Sequence, residues 1–481
     1  MEALLRLSGL ELARRIRARE LTATEVVAAH IARLRAVGPR LNALVRQRFA
    51  GALAEARRVD ERLRAGLDEP PPPYWGVPCT IKEAFAVTGM PWSAGLVARG
   101  RTIAGADATG VARLRAAGAI VLGVTNTSEL CMWMEAANRV YGRTANPYAP
   151  GRIAGGSSGG EGAVIGAGGS PFGLGADVGG SIRMPAFFCG VFGHKPSGGL
   201  VPNSGQFPIA RGEALRMLTT GPLCRRAADL MPLLRILAGP DGRDAECRRR
   251  PLGDPAQLDL ARLRVLDVAG DGWLPVAPAL RGAQRRAAAA LAAAGARVRP
   301  ARFSGLRWSL LIWAAELAAR DGGSYRARLG QGVPIGRARE LARWLVGRSA
   351  HTLPSLGLAA IEQLTAGPQA IEARARQAGA RLREELVAAL GDDGVMLYPS
   401  HPRPAPRHNA PLLRPFAWTY TAVFNALELP VTQVPLGLGP GGLPLGVQVV
   451  AGPGRDHLGI AVALALERAC GGWVWPGAQR A

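Results

Sequence analysis

A chain of 481 residues, 48% of them apolar, has ample material for a large core; its 63 glycines and 37 prolines punctuate apolar runs, which excludes a disordered protein. The formal charge of +23 comes from arginine spread along the chain, with lysine only at Lys82 and Lys195 and no compact basic stretch interleaved with aromatics, so it reads as compositional bias rather than a nucleic-acid surface. No run of about 18 apolar residues and no amino-terminal signal pattern occurs, and the six cysteines have neither CxxC nor zinc spacing; a cytoplasmic enzyme with core thiols and no metal is expected.

In chain order, residues 1–67 read as helices. Leu10–Arg19 is amphipathic, a second helix starts at Thr22 or Thr24 and runs towards Arg35, and Leu41–Leu63 repeats apolar residues every three or four positions. A break follows at Pro70–Pro73. The segment from Gly76 to Glu83 is a short buried strand ending in charge. Val111–Ala117 is helical and Ile120–Val124 a strand, after which strand and helix alternate as in an α/β sheet. Arg264–Val268 is a further strand. Residues 303–392 are mostly helical and carry Trp308, Trp313 and Trp344. Strands near Val395–Tyr398 and Gly446–Val450 and a helix at His457–Ala469 close the chain. No repeat and no long flexible linker separates independent domains.

The chemistry concentrates between Gly155 and Ser197, GGSSGGEGAVIGAGGSPFGLGADVGGSIRMPAFFCGVFGHKPS. A Walker A loop fails because no lysine stands in its place, and a dinucleotide fingerprint fails on spacing. Gly155–Gly159 matches GxSxG, but a loop precedes it where a nucleophile elbow needs a strand; its base would be His351, His401, His408 or His457, none in a distinguishing context. Ser158–Glu161 also reads as a capping box starting a helix near Gly159. Alone, that leaves the glycine pair before Ser181 without a purpose. Acyl transfer needs a hydroxyl nucleophile, a base and donors for an oxyanion. Val178, Gly179, Gly180 and Ser181 offer successive backbone N–H groups beside a hydroxyl, free of Cβ obstruction at the glycines. In a chain that uses arginine nearly everywhere, Lys82 suits a task arginine cannot perform, that of a neutral base. A buried lysine paired with Glu83 or Asp177 is the plainer alternative, and the residues alone leave both open.

These stretches resemble the amidase-signature family along nearly the whole chain: GVPCTIKE at 76–83, GGSSGG at 155–160, DVGGSIRMPA at 177–186 and CGVFGHKPS at 189–197. Within it the likeness is to fatty-acid-amide hydrolases, through the glycine-rich core and through LYPSHPRPAPRH at 397–408, LPVTQVPLG at 429–437, GLPLGVQVVAGP at 442–453 and GGWVWPG at 471–477. The resemblance implies one large α/β domain with a twisted mixed sheet flanked by helices on both faces. Residues 1–65 wrap the core, 66–225 form the catalytic core, and 226–481 complete the sheet and shape the substrate entrance. It implies a triad in which Ser181 attacks, Ser157 (after a cis peptide) relays the proton and Lys82 accepts it. Val178, Gly179, Gly180 and Cys131 would bind oxyanion and substrate, with Ser158, Asp177 and Arg183 in support.

The expected activity is hydrolysis of an N-acyl or fatty-acid amide through an acyl-enzyme, with no cofactor and a small-molecule amide as partner. A general or aryl-acyl amidase, and one component of a tRNA-dependent amidotransferase complex, remain as alternatives. The apolar groups around Trp308–Trp313 and Trp344–Val346 leave two arrangements open, core packing or peripheral membrane contact through 303–365, and a homodimer is also left open.

Overall fold

The computed structural model describes residues 2–66, 69–321, 323–364 and 369–477. Its strands are β1 (Leu44–Gln47), β2 (Pro78–Lys82), β3 (Ile120–Thr125), β4 (Ala137–Asn138), β5 (Gly142–Arg143), β6 (Phe172–Asp177), β7 (Phe192–Lys195), β8 (Thr219–Cys224), β9 (Arg264–Asp267), β10 (Arg297–Pro300), β11 (Gly394–Tyr398), β12 (Val431–Leu438) and β13 (Pro444–Ala451). A two-stranded hairpin uses β4 and β5. The other eleven strands make one mixed sheet in the order β1-β3-β2-β6-β8-β7-β12-β13-β11-β9-β10, flanked by helices. The sheet therefore runs unbroken through residues 1–65, 66–225 and 226–481.

Strands β3, β2 and β6 lie parallel and adjacent, with Lys82 opposite Thr125 and Thr80 opposite Gly173. Every residue of β2, β3 and β6 is buried, as a parallel strand covered on both faces requires. Between β6 and β13 each neighbouring pair is antiparallel. The helix Gly159–Gly166 precedes β6 and packs on β2, β3, β6 and β8. It runs back along the strand that follows it, so its N-terminus meets the carboxyl ends of β2 and β6.

The first two expected helices stand, the second as Ala23–Leu41 with Thr22 and Glu25 in a reciprocal capping box. The third needs correction. The chain leaves the helix at Asn42, which adopts φ 46°, and enters β1, which pairs with β3. Helix resumes only at Phe49–Ala65. Asparagine tolerates the left-handed cap, and the short β1 satisfies its backbone on the sheet edge; the apolar spacing around it does not reveal the break.

Segment 303–392 is mostly helical as expected, with helices at Ser309–Asp321, Tyr325–Leu329, Arg337–Leu345, Leu353–Leu364 and Gln369–Leu390; Gly322 and residues 365–368 lie outside the described residues. Its apolar group divides. Ile312 is fully buried and Trp313 turns inward, whereas Trp308 and Leu311 are exposed. Leu345 and Val346 stand 72% and 68% exposed.

Candidate active site

Lys82 ends β2, Ser157 precedes the helix Gly159–Gly166, and Ser181 follows the loop that leaves β6. Because β2 and β6 are parallel neighbours, all three reach one place, where they line a single cleft. Lys82 Nζ lies 2.6 Å from Ser157 Oγ, and both side chains are buried. Neither Glu83 nor Asp177 pairs with Lys82. Glu83 instead accepts from Ser93, Ala94 and Tyr141, and Asp177 pairs with Arg183. Burial pushes the Lys82 pKa down from its ordinary value, with the Cys131 thiol, Asp177 and Glu161 acting in the opposite direction. The Gly156–Ser157 peptide is cis. Ser158 N–H donates to the Ser181 carbonyl at 3.1 Å, which ties the two serine-bearing segments together.

The loop from Asp177 to Arg183 is held from within. Asp177 accepts from the N–H groups of Gly180 at 2.6 Å and Ile182 at 3.0 Å, and from the Arg183 guanidinium at 2.9 and 3.0 Å. Burial alone would raise the Asp177 carboxyl; the adjoining guanidinium and the backbone donors hold it well below the usual carboxylate range. Arg183, fully buried, is itself satisfied by the Thr421 carbonyl, Gln448 and Asn425 at 2.6–2.9 Å. Two loop carbonyls are engaged as well, Val178 by the Trp313 indole N–H at 2.7 Å and Gly179 by the Thr421 hydroxyl at 2.8 Å. The Gly180 amide is thus committed to Asp177. Among the described residues the amides of Val178, Gly179 and Ser181 have no hydrogen-bond partner. Gly180 has φ +120°, and a Cβ there would stand 2.0 Å from Thr421 Oγ1, so only glycine fits.

The expected capping box at Ser158 is absent. Ser158 Oγ donates to the Ala176 carbonyl, and no side chain caps this helix. Glu161 instead accepts from Thr80 at 2.7 Å and Thr125 at 2.8 Å beneath the sheet, where burial pushes its carboxyl up to about 8. Thr80 and Lys82 on β2 and Thr125 on β3 lie on one side of the sheet, and of the three Lys82 lines the cleft. None of the four candidate histidines lines the cleft. His351 meets Glu129, His408 meets Glu135, and His401 meets the Arg403 carbonyl.

Cys131 does line the cleft, on a turn where Leu130 and Cys131 adopt φ 51° and 60°. The rest of the wall is apolar: Leu130, Met132, Phe207, Leu218, Leu317 and Tyr325 belong to it, with Arg328 as a charged member. Sequence reasoning missed Trp313, Thr421, Asn425 and Gln448 as loop supports. They lie more than a hundred residues from the glycine-rich core, and no local pattern marks them.

The fold and cleft define an α/β enzyme with its polar chemistry gathered at the carboxyl ends of parallel strands. The family described as Amidase matches residues 25–459. The chain is 46% identical to human (Homo sapiens) fatty-acid amide hydrolase 2, over 99% of this chain and 91% of that protein. It is 33% identical to a glutamyl-tRNA(Gln) amidotransferase component from Acidothermus cellulolyticus, over 98% and 95%. A solved structure of 6-aminohexanoate cyclic dimer hydrolase with its substrate superposes with a TM-score of 0.80 at 27% identity, over 97% of each chain. The chain belongs to the amidase family and is an amide-hydrolysing enzyme.

Proposed function

We propose that the chain hydrolyses N-acyl amides, long-chain fatty-acid amides among them, through an acyl-enzyme on Ser181. The observation that carries this reading is the 2.6 Å contact between Lys82 and Ser157 in a buried site shared with Ser181. A lysine driven towards its neutral form by burial accepts a proton at that distance. Ser181 Oγ attacks the acyl carbon and loses its proton to Ser157, which passes its own to Lys82. The oxyanion forms against the amides of Val178, Gly179 and Ser181, each such donor contributing about 3 kcal/mol. As the C–N bond breaks, Ser157 protonates the departing amine and recovers a proton from Lys82. Water then repeats the sequence on the ester. Cys131 forms part of the substrate wall, while Ser158, Asp177, Gly180 and Arg183 hold the loop in shape.

An acyl substrate is supported by the apolar cleft wall and by the 46% identity to a fatty-acid amide hydrolase, against 33% to an amidotransferase component. A second reading concerns the surface. Exposed Leu341, Leu345 and Val346 on and beside the helix Arg337–Leu345 favour peripheral membrane contact. Among the described residues no helix is long and apolar enough to cross a membrane.

The test is hydrolysis of acyl p-nitroanilides from acetyl to palmitoyl by the purified chain, followed by mass analysis after fluorophosphonate treatment. Turnover rising with chain length, with label on Ser181 and none in Ser181→Ala, is the expected result. Label with preference for acetyl or aryl groups retains the mechanism and discards the lipid substrate. Absence of both label and turnover discards the free-standing hydrolase in favour of an amidotransferase component.

A further inference from the structure

Beyond the main core lies a small separate one of Leu96, Leu130, Tyr325, Leu329 and Ala359, against which Met132 and Phe207 pack. Four of these residues, Leu130, Met132, Phe207 and Tyr325, also line the cleft. One wall of the cleft is therefore built from the helical segment 325–359 and the short stretches at Leu96, Leu130–Met132 and Phe207, and not from the principal core. Few apolar residues join these parts, and so small a cluster opens locally more readily than the sheet.

Glu129 fastens them. It is 1% exposed and immediately precedes Leu130 and Cys131, the two residues at positive φ. One carboxylate oxygen is met by His351 Nδ1 at 2.7 Å. The other accepts from the Thr352 amide and the Thr352 hydroxyl, both at 2.8 Å. Ser355 Oγ lies 3.1 Å from Thr352 Oγ1, and the Tyr325 hydroxyl donates to Ser355 Oγ at 3.2 Å. Tyr325 is thus linked through the Ser355 and Thr352 hydroxyls to the Glu129 carboxylate. Both ends of this chain adjoin the cleft wall. A buried carboxylate strengthens the hydrogen bonds it accepts from such a network.

We propose that Glu129 is a positioning residue for acyl length: through His351 and Thr352 it latches the segment carrying Tyr325 against the turn carrying Leu130 and Cys131, and so sets the wall that contacts the distal part of the acyl chain. Glu129 does not line the cleft and takes no part in the proton transfers. The inference rests on the reading of the cleft as an acyl site.

The experiment compares wild type, Glu129→Ala, Glu129→Gln and Thr352→Val on acetyl and decanoyl p-nitroanilides, with hydrogen exchange of residues 353–360 measured on the same proteins. In Glu129→Ala, kcat/KM for the decanoyl substrate falls roughly tenfold more than for the acetyl one, the size expected for losing charge-assisted hydrogen bonds, and chiefly through KM. Glu129→Gln and Thr352→Val, which keep part of the network, fall between it and wild type, and amides of 353–360 exchange faster in Glu129→Ala. An unchanged decanoyl-to-acetyl ratio, equal losses on both substrates, or exchange identical to wild type overturns the latch while leaving the acyl cleft standing. A wild type indifferent to acyl length overturns the acyl cleft itself and the latch with it.

Discussion

Lys82 and Lys195 are the two lysines of the chain, and both are fully buried. Their surroundings separate them. Lys195 donates to the Pro196 carbonyl at 2.9 Å away from the cleft, and burial together with Arg183 pushes its pKa down to about 7. Lys82 faces a hydroxyl. Replacing Lys82 by arginine keeps a cation but removes a group able to lose its proton. Lys82→Arg is expected to lower kcat/KM by about a thousandfold, within the range for loss of a general base. In wild type, kcat/KM rises with pH as Lys82 becomes neutral, and its acid limb lies below the ordinary lysine value of about 10.4. A limb at or above that value would exclude Lys82 as the base.

Glu161 gives a second test at this scale, with the opposite linkage from a paired carboxylate. Its folded pKa of about 8 lies above the unfolded value of about 4.3, so the folded state holds the proton more tightly. The stabilisation is fully present below the unfolded pKa and is lost as pH rises through the folded one. Glu161→Gln keeps the shape and removes the titration. The melting temperature of wild type relative to Glu161→Gln is therefore expected to decline from about pH 5 to about pH 9. A constant difference would show that Glu161 stays ionised across this window.

At the scale of elements, the decisive arrangement is the parallel pair β2 and β6 with a helix running back between their carboxyl ends. It brings the end of one strand, the start of a helix and the loop after a second strand together without any of them being neighbours in sequence. The loop after β6 then depends on the helix Ser309–Asp321, because Trp313 donates to the Val178 carbonyl. Trp313→Phe retains most of the packing against Trp418 and removes the donor. It is expected to reduce kcat by about tenfold with little change in KM, since in the proposed mechanism the lost bond positions the oxyanion donors. A rise in KM at constant kcat would make Trp313 a substrate contact.

Across the whole molecule, charge and exposed apolar surface meet on the segment 325–346. The chain carries a net +23, and exposed Leu345 and Val346 lie at the end of a helix that also carries exposed Arg339 and Arg343, a composition suited to anionic lipid. Co-sedimentation with anionic liposomes is expected for wild type and is expected to be lost in Leu345→Ser/Val346→Ser. Trp313 is not part of that surface. Sedimentation equal in the two proteins, or absent from wild type, would leave these side chains as ordinary exposed residues.

Much of this was legible in local patterns. Buried parallel strands announce themselves as continuous apolar runs, which is how Gly76–Glu83, Ile120–Val124 and Val395–Tyr398 were readable. The scarcity of lysine and the paired glycines before Ser181 pointed to acyl transfer, because that chemistry needs a deprotonatable base and unobstructed amides. β1 was hidden, since its four residues continue the apolar spacing of the helices on either side. The partner of Glu161 was also misread. A glutamate three residues after a serine signals a cap, but here the buried Thr80 and Thr125 hydroxyls compete for it and win.

The sequence by itself determined the α/β class, the family and the residue types available for catalysis, because strand burial, glycine spacing and the rarity of lysine are local properties of the chain. Only the tertiary structure decided which amides of the loop after β6 lack a partner among the described residues, that Trp313 serves that loop, and that Glu129 reaches the distant segment at His351 and Thr352. The last two outcomes depend on contacts between residues 135 and 222 positions apart, which follow from how the chain folds around the sheet and leave no periodic trace along the chain.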